Sequence, residues 1–336
     1  MNILVTGGAG YIGSHVCVLL QNERHKVTIF DNLSNSNVTK VNNIKNLSNG
    51  EISFVEGDLR DKDLIKSTIK KNCIDVVFHF AGFKSVQQSI ANPLEYYDNN
   101  FVGTINLLKS MIEYNVNKIV FSSSATIYGN IENNKMPIKE SYSPLPNNPY
   151  GKIKFQIEEL LDNICKVNDN FSSISLRYFN PIGAHESKLI GEDPSDITNN
   201  IMPIILKVAS GEMPNFPIYG FDYNTKDGTG IRDYIHVIDI AEGHLSALAF
   251  IKKNYGNHFF NLGTGVGVSV LELIKTFEIS NKIKIPIEYC SRRDGDVGIC
   301  YADVKKANSV MGWKSKKNLE LMCKSAWAYK KSFKTS

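Results

Sequence analysis

No Cys-x-x-Cys pair and no metal-ligand spacing occurs among Cys17, Cys73, Cys165, Cys290, Cys300 and Cys323. That excludes a zinc ribbon or disulfide framework and points to reduced thiols, with no bound metal expected. Apolar runs stay well short of the roughly 20 residues that span a bilayer. The chain opens on Met1-Asn2-Ile3-Leu4-Val5 with no leader-like charged and apolar regions ahead of it, so a cytoplasmic location is expected. An excess of one charge sign is also missing. The 38 basic and 34 acidic residues leave +4, spread over pairs such as Lys70-Lys71, Lys252-Lys253 and Lys330-Lys331. With no basic stripe interleaved with aromatics, no nucleic-acid partner is expected. No internal repeat is visible.

What is present is an ordinary globular composition, 42% hydrophobic and 21% charged over 336 residues, enough for two lobes. Short apolar runs recur at Ile3–Val5, Val27–Phe30, Ile52–Val55, Val76–Phe80, Ile119–Ser122 and Ile174–Leu176, with helix-patterned sequence between them. This rhythm predicts an α/β fold, a doubly wound parallel (Rossmann) sheet whose strands are buried on both faces. Beyond about residue 180 the sequence becomes rich in Gly, Pro, Asn and Asp, as in Gly191-Glu192-Asp193-Pro194. The expected division is 1–180 for the nucleotide domain and 181–336 mainly for a smaller α/β substrate-binding lobe. Asp233–Val237 and Phe259–Leu262 read as strands that return to the main sheet.

Gly7, Gly10 and Gly13 follow the first strand and open a helix. In this arrangement the first glycine permits the tight turn, the second lets backbone approach a pyrophosphate, and the third allows close helix–sheet packing. Asp31 ends the second strand 18 residues past Gly13, where a carboxylate accepts ribose hydroxyls and repels a 2′-phosphate. The expected cofactor is therefore NAD rather than NADP. Asp58, after the third strand, either meets the adenine or caps the next helix.

The fifth strand ends in Ser122-Ser123-Ser124, at the carboxyl edge where ligands bind in open α/β sheets. Tyr150 and Lys154 follow 26 and 30 residues after Ser124, one turn apart on one helix face. Lys154, beside a positive nicotinamide ring, is expected to lower the tyrosine's proton affinity and Ser124 to hydrogen-bond the reacting oxygen, which makes Tyr150 a base for a sugar hydroxyl. A second Tyr-x-x-x-Lys, Tyr114 to Lys118, precedes the fifth strand on the wrong edge of the sheet and reads as structural.

With these residues the chain resembles the extended short-chain dehydrogenase/reductase family, in its nucleotide-sugar epimerase branch. The resemblance runs nearly end to end, through Val5–His15, His79–Gly82, Pro93–Asn100, Leu176–Pro181, Gly228–Val237 and Arg292–Asp296. It implies reversible C4 epimerisation of UDP-glucose and UDP-galactose with tightly bound NAD, in a homodimer paired through helices near 94–113 and 151–167. Around NAD it implies Tyr11, Ile12, Asn32, Asn35, Leu59, Phe80, Ala81, Gly82, Lys84, Asn99, Ser122 and Tyr178. For the UDP-hexose it implies Asn180, Asn200, Arg232 and Arg293, with Asp296 on the ribose and Tyr219 near the uracil. His236 remains a structural histidine. Related dehydratases carry Thr-Asp-Glu where this chain has Ser124-Ala125-Thr126, so the carboxylates for eliminating water are missing. Ile153 replaces a frequent serine, off the Tyr150–Lys154 face. Cys300 stands where some relatives have a bulky tyrosine, and its small size implies room for an N-acetyl group and activity on the UDP-GlcNAc/UDP-GalNAc pair as well.

Overall fold

The computed structural model describes residues 1–48, 50, 52–192, 200–293 and 296–333; Asp193 and Pro194 of one loop motif and Asp294 and Gly295 of another lie outside them. In chain order the first half runs β1 (Asn2–Thr6), α1 (Tyr11–Asn22), β2 (Lys26–Asp31), α2 (Val38–Leu47), β3 (Ile52–Glu56), α3 (Lys62–Lys71), β4 (Val76–His79), α4 (Val86–Ala91), α5 (Pro93–Tyr96), a π-helix (Tyr97–Val102), α6 (Gly103–Glu113), β5 (Lys118–Ser124), α7 (Pro149–Val167) and β6 (Ser172–Tyr178). The second runs β7 (Asn180–Ile182), α8 (Ile201–Ala209), β8 (Phe216–Tyr219), β9 (Ile231–Arg232), β10 (Tyr234–His236), α9 (Val237–Ile251), β11 (Gly256–Leu262), β12 (Val268–Ser269), α10 (Val270–Asn281), β13 (Ile287–Cys290), β14 (Ile299–Cys300), α11 (Lys305–Met311) and α12 (Leu319–Ser332).

All six apolar runs are strands of one seven-stranded sheet ordered β11-β6-β5-β4-β1-β2-β3, with parallel pairing from β5 through β3. The reversal of direction of growth at β1 and β4 makes it doubly wound. Ile3, Leu4, Val5, Val76, Val77 and Phe78 are wholly inaccessible, as strands covered on both faces require. Phe259–Leu262 joins this sheet as part of β11, whereas Asp233–Val237 does not. β10 instead pairs in parallel with β7, Tyr234 opposite Asn180. A three-residue strand carries too little pattern to reveal its partner.

By internal contacts the chain forms two compact units, one of residues 1–129, 144–177 and 241–260, the other of 130–143, 178–240 and 261–336. The first is built on the large sheet, with Leu4, Phe30, Ile65, Val77, Leu107, Ile119, Ile153 and Leu161 in its core. Helix α7 belongs to it for clear local reasons. Asn148 caps its N-terminus through the Gly151 amide, Pro149 pre-sets the first turn, and Ile153, Ile157 and Leu161 recur at four-residue spacing on the buried face. The second unit has its own core of Ile182, Met202, Phe216, Tyr234, Leu273, Phe277 and Met322. Its strands form small sheets, β14 and β12 flanking β9, and β13 beside β8.

Candidate active site

At the end of β1 the backbone turns at Gly7, whose φ of +69° lies in the left-handed region; a Cβ there would sit 2.5 Å from the Ala81 nitrogen. A Cβ on Gly13 would lie 2.3 Å from the Gly7 carbonyl oxygen, so α1 can approach the turn only without one. Gly10 caps α1, no side chain caps it, and its first turn holds no acidic residue. The positive end of the helix dipole therefore faces the turn uncompensated, an arrangement that suits a dinucleotide pyrophosphate.

Asp31 is almost wholly buried. Its Oδ2 accepts the Ala9 amide of the turn at 3.0 Å and its Oδ1 the Leu33 amide at 2.9 Å, while burial pushes its pKa up. It thus ties the glycine turn to β2. Asp58 does not cap α3; Asp61 does, through the Leu64 amide. Asp58 instead accepts the Asn32 amide at 2.9 Å and is gripped by Arg60, whose hydrogen bonds hold its carboxyl well below the usual range. Arg60 also reaches Asp98 at 3.1 Å. Leu59 is buried and Asn35 exposed.

The Phe80 and Ala81 amides both donate to the Thr6 carbonyl, fastening this segment beside the glycine turn. Beyond Gly82, the Phe83 amide and carbonyl are matched by the two ends of the Asn100 side chain, at 2.8 and 2.9 Å; Asn99 donates to Asn100 from within the π-helix. Such wide turns are rare and concentrate at functional sites. Lys84 is exposed, and Tyr178 ends β6 almost fully buried.

The three residues read as catalytic come together in the first unit. Ser124 accepts the Thr126 amide at 3.2 Å and the Thr126 hydroxyl at 2.9 Å, and is hydrogen-bonded to Tyr150. The Tyr150 amide donates to the Ser89 hydroxyl. Lys154 is buried, donates to the Ser122 carbonyl at 2.6 Å, and places Nζ 4.7 Å from the Phe121 ring centre and 5.8 Å from that of Tyr150. Burial pushes Tyr150 up to about 12, outweighing the Ser124 hydrogen bond, and drives Lys154 down to about 7. In the protein alone, loss of water favours the neutral form of both groups over their mutual attraction. Tyr114 and Lys118 occupy the end of α6 and the start of β5 and share no helix.

In the second unit, Arg293 donates to Asp296 at 3.1 Å and stacks 4.4 Å from the Tyr219 ring centre, so three of the residues read as nucleotide-binding are in contact. Arg232 stands opposite Cys300 in the β9–β14 pairing. Burial raises the Cys300 thiol to about 11, leaving it uncharged. Asn180 opens β7, and Asn200 precedes α8 with its amide on Glu192 at 2.7 Å. His236 is buried between Ser325 and the Ile238 amide, and burial holds it at about 3. Among the described residues no group of three or more His, Cys, Asp or Glu is placed to hold a metal ion, and no helix is long and apolar enough to cross a membrane.

Sequence reasoning passed over Arg60, Asn100, Thr126, Ser123 and Glu158. Only Thr126 carried a local signal, a hydroxyl two residues past Ser124 in a serine–threonine turn. Arg60 grips Asp58 only two residues away, but Asn100, Ser123 and Glu158 act across distances in sequence that spacing does not encode.

A doubly wound sheet with a glycine turn after β1 and a Ser-Tyr-Lys set after β5 defines an enzyme of the short-chain dehydrogenase/reductase class. The family model described as GDP-mannose 4,6 dehydratase matches residues 4–326. The chain is 47% identical to a UDP-glucose 4-epimerase of Bacillus subtilis over 99% of its own length and 97% of the relative's. Among solved structures it is similar to a UDP-glucose 4-epimerase of Stenotrophomonas maltophila with bound NAD and formylated UDP-arabinopyranose, at TM-score 0.97 and 44% identity, covering 100% of this chain and 99% of that one. A second, from Bifidobacterium longum in complex with NAD+ and UDP, matches at TM-score 0.95 and 43% identity over 99% and 98%. The chain belongs to the UDP-glucose 4-epimerase family.

Proposed function

We propose that the chain interconverts UDP-glucose and UDP-galactose by epimerisation at C4, using NAD as a resident cofactor. The observation that carries this reading is the contact set of Ser124, Tyr150 and Lys154 at the end of β5, in a chain alike over its whole length to UDP-glucose 4-epimerases. NAD would rest on the Gly7–Gly13 turn with Asp31 at the adenosine ribose, and it supplies a reversible hydride acceptor. Tyr150 takes the proton from the C4 hydroxyl and later returns it, while Ser124 hydrogen-bonds the C4 oxygen throughout. Arg232 and Arg293 match the charge of a pyrophosphate, and Tyr219 offers a face for the uracil. The stretch 124–126 holds no carboxylate, so elimination of water lacks its acid and base.

Purified protein given UDP-galactose and no added cofactor should form UDP-glucose. If protein shown to contain NAD produces none, the proposal fails. Cys300 supports activity on the N-acetylated pair too, since its small side chain leaves volume that tyrosine would fill. Cys300→Tyr should lower turnover of UDP-GlcNAc at least tenfold more than that of UDP-glucose, the scale of a steric penalty of about 1.4 kcal/mol. Equal losses on both would contradict the steric account. A UDP-pentose is a second candidate substrate, favoured by the arabinopyranose ligand of the Stenotrophomonas neighbour. We infer further that two copies pair through the helices carrying Leu94, Ile112 and Val167, which are apolar and exposed. Light scattering should then return twice the chain mass.

A further inference from the structure

Glu158 is 2% exposed, one helical turn beyond Lys154 on the buried face of α7. Its Oε1 accepts the Ser123 hydroxyl at 2.5 Å and Arg177 Nε at 3.1 Å, and its Oε2 accepts Arg177 Nη2 at 2.6 Å. Arg177 lies on β6, the strand beside β5; its remaining nitrogen donates to the Tyr128 hydroxyl at 2.9 Å, and its guanidinium stacks 4.7 Å from the Phe259 ring centre. Burying two full charges carries a desolvation cost, and an apolar pair of similar volume would often serve stability as well. The placement of this pair has a distinctive consequence. Ser123, which it grips, sits between Ser122, whose carbonyl holds Lys154, and Ser124, whose hydroxyl meets Tyr150. Helix α7 and the end of β5 are therefore fastened at two successive turns, by Lys154 to Ser122 and by Glu158 to Ser123.

We propose that the buried Glu158–Arg177 pair, acting through the Ser123 hydroxyl, is the positioning element of the reaction base, fixing the strand end that aligns Lys154 and Ser124 on Tyr150. The role rests on the assignment of Tyr150 as that base. Lys154 is faced by His79 from β4, by Tyr150 and Glu158 on its own helix, and by the Ser122 carbonyl and Phe121 ring from β5. Tyr150 is faced by Ser124 and by Tyr96 of α5. His79 is buried, bonded to Thr6 and Thr104, and held neutral by burial. Glu158 is thus the one anion in the group around Lys154, and it favours the lysine's charged form.

The test uses Ser123→Ala in the full chain, because it cuts the tether while leaving Glu158 and Arg177 paired. Turnover of UDP-galactose should fall roughly tenfold, a fraction of what acid–base catalysis contributes, with KM unchanged. The acid limb of the kcat profile should move to higher pH, because a displaced Lys154 no longer favours tyrosinate. Ultraviolet titration, using the tyrosinate signal that vanishes in Tyr150→Phe, should show the same upward move without any turnover. Ser123→Thr, which keeps the hydroxyl, should restore the parent profile. A lower melting temperature with kcat, acid limb and titration all unmoved would overturn the proposal and leave the pair a structural one. Tyr150→Phe separates the two claims. If that variant turns over like the parent, the base assignment falls and the positioning role with it. If it is inert while Ser123→Ala keeps the parent profile, only the positioning role falls.

Discussion

A tyrosine held at about 12 beside a lysine at about 7 is not yet a base near neutrality. Both values follow from the same cause, removal of water from a site where Lys154 has one carbonyl and two aromatic faces around it. Burial therefore favours the uncharged form of both groups, and a further positive charge entering the site favours tyrosinate. Oxidised NAD carries such a charge on its nicotinamide ring, which makes cofactor retention a precondition for the base. The glycine turn governs that retention. In Gly13→Ala the new methyl would meet the Gly7 carbonyl at 2.3 Å, and the turn must open to relieve it. Nucleotide released on denaturing the purified variant should be at least tenfold below the parent's, which requires a loss of at least about 1.4 kcal/mol of affinity. Stoichiometric nucleotide in the variant would show that the turn tolerates the methyl and that the close approach is not needed.

Secondary structure elements were legible in proportion to their length and periodicity. The six apolar runs and the helix after Pro149 announce themselves through burial and spacing, and each takes its expected place. The short strands do not. β10 has three residues, and only the return of β7 beside it decides its sheet. The helix caps show the same limit: Asp58 and Asp61 both precede helical sequence, and only the backbone geometry chooses Asp61. In the site, Ser124, Tyr150 and Lys154 could be read from order and spacing, whereas Glu158 and Arg177 find each other only because β6 lies beside β5. Asn148→Ala removes the cap on the Gly151 amide, one residue from Tyr150. Unfolding free energy from urea titration should fall by about 1 kcal/mol, and turnover should fall with it as the first turn frays. A stability loss with unchanged turnover would show that Tyr150 is placed by its surroundings, independently of the cap.

Across the whole molecule the buried histidines set how stability depends on pH. Burial holds His79 in one unit and His236 in the other at about 3, against an ordinary 6.5, and it lowers His25 and His185 as well. As pH drops below 6.5 the unfolded chain takes up protons that the folded chain excludes, so stability falls towards acid. Each fully excluded proton contributes about 1.4 kcal/mol per pH unit in that window. The carboxylates lowered by their cations, Asp58 by Arg60 and Asp162 by Lys166, act in the same direction but only near and below the ordinary carboxylate range. Between pH 6 and 5 the loss should come from histidines, and with His79 and His236 both excluded their part approaches 3 kcal/mol, on the order of twice the single-proton value, while buried Asp31 and Asp233, raised by loss of water, act in the opposite direction. Urea midpoints should be lower at pH 5 than at pH 7, and the difference should shrink by about half in His236→Asn, whose amide can retain one of the two hydrogen bonds. Equal midpoints at pH 5 and pH 7 would mean that the unfolded chain gains no net protons over the folded one, against the exclusion assigned to His79 and His236.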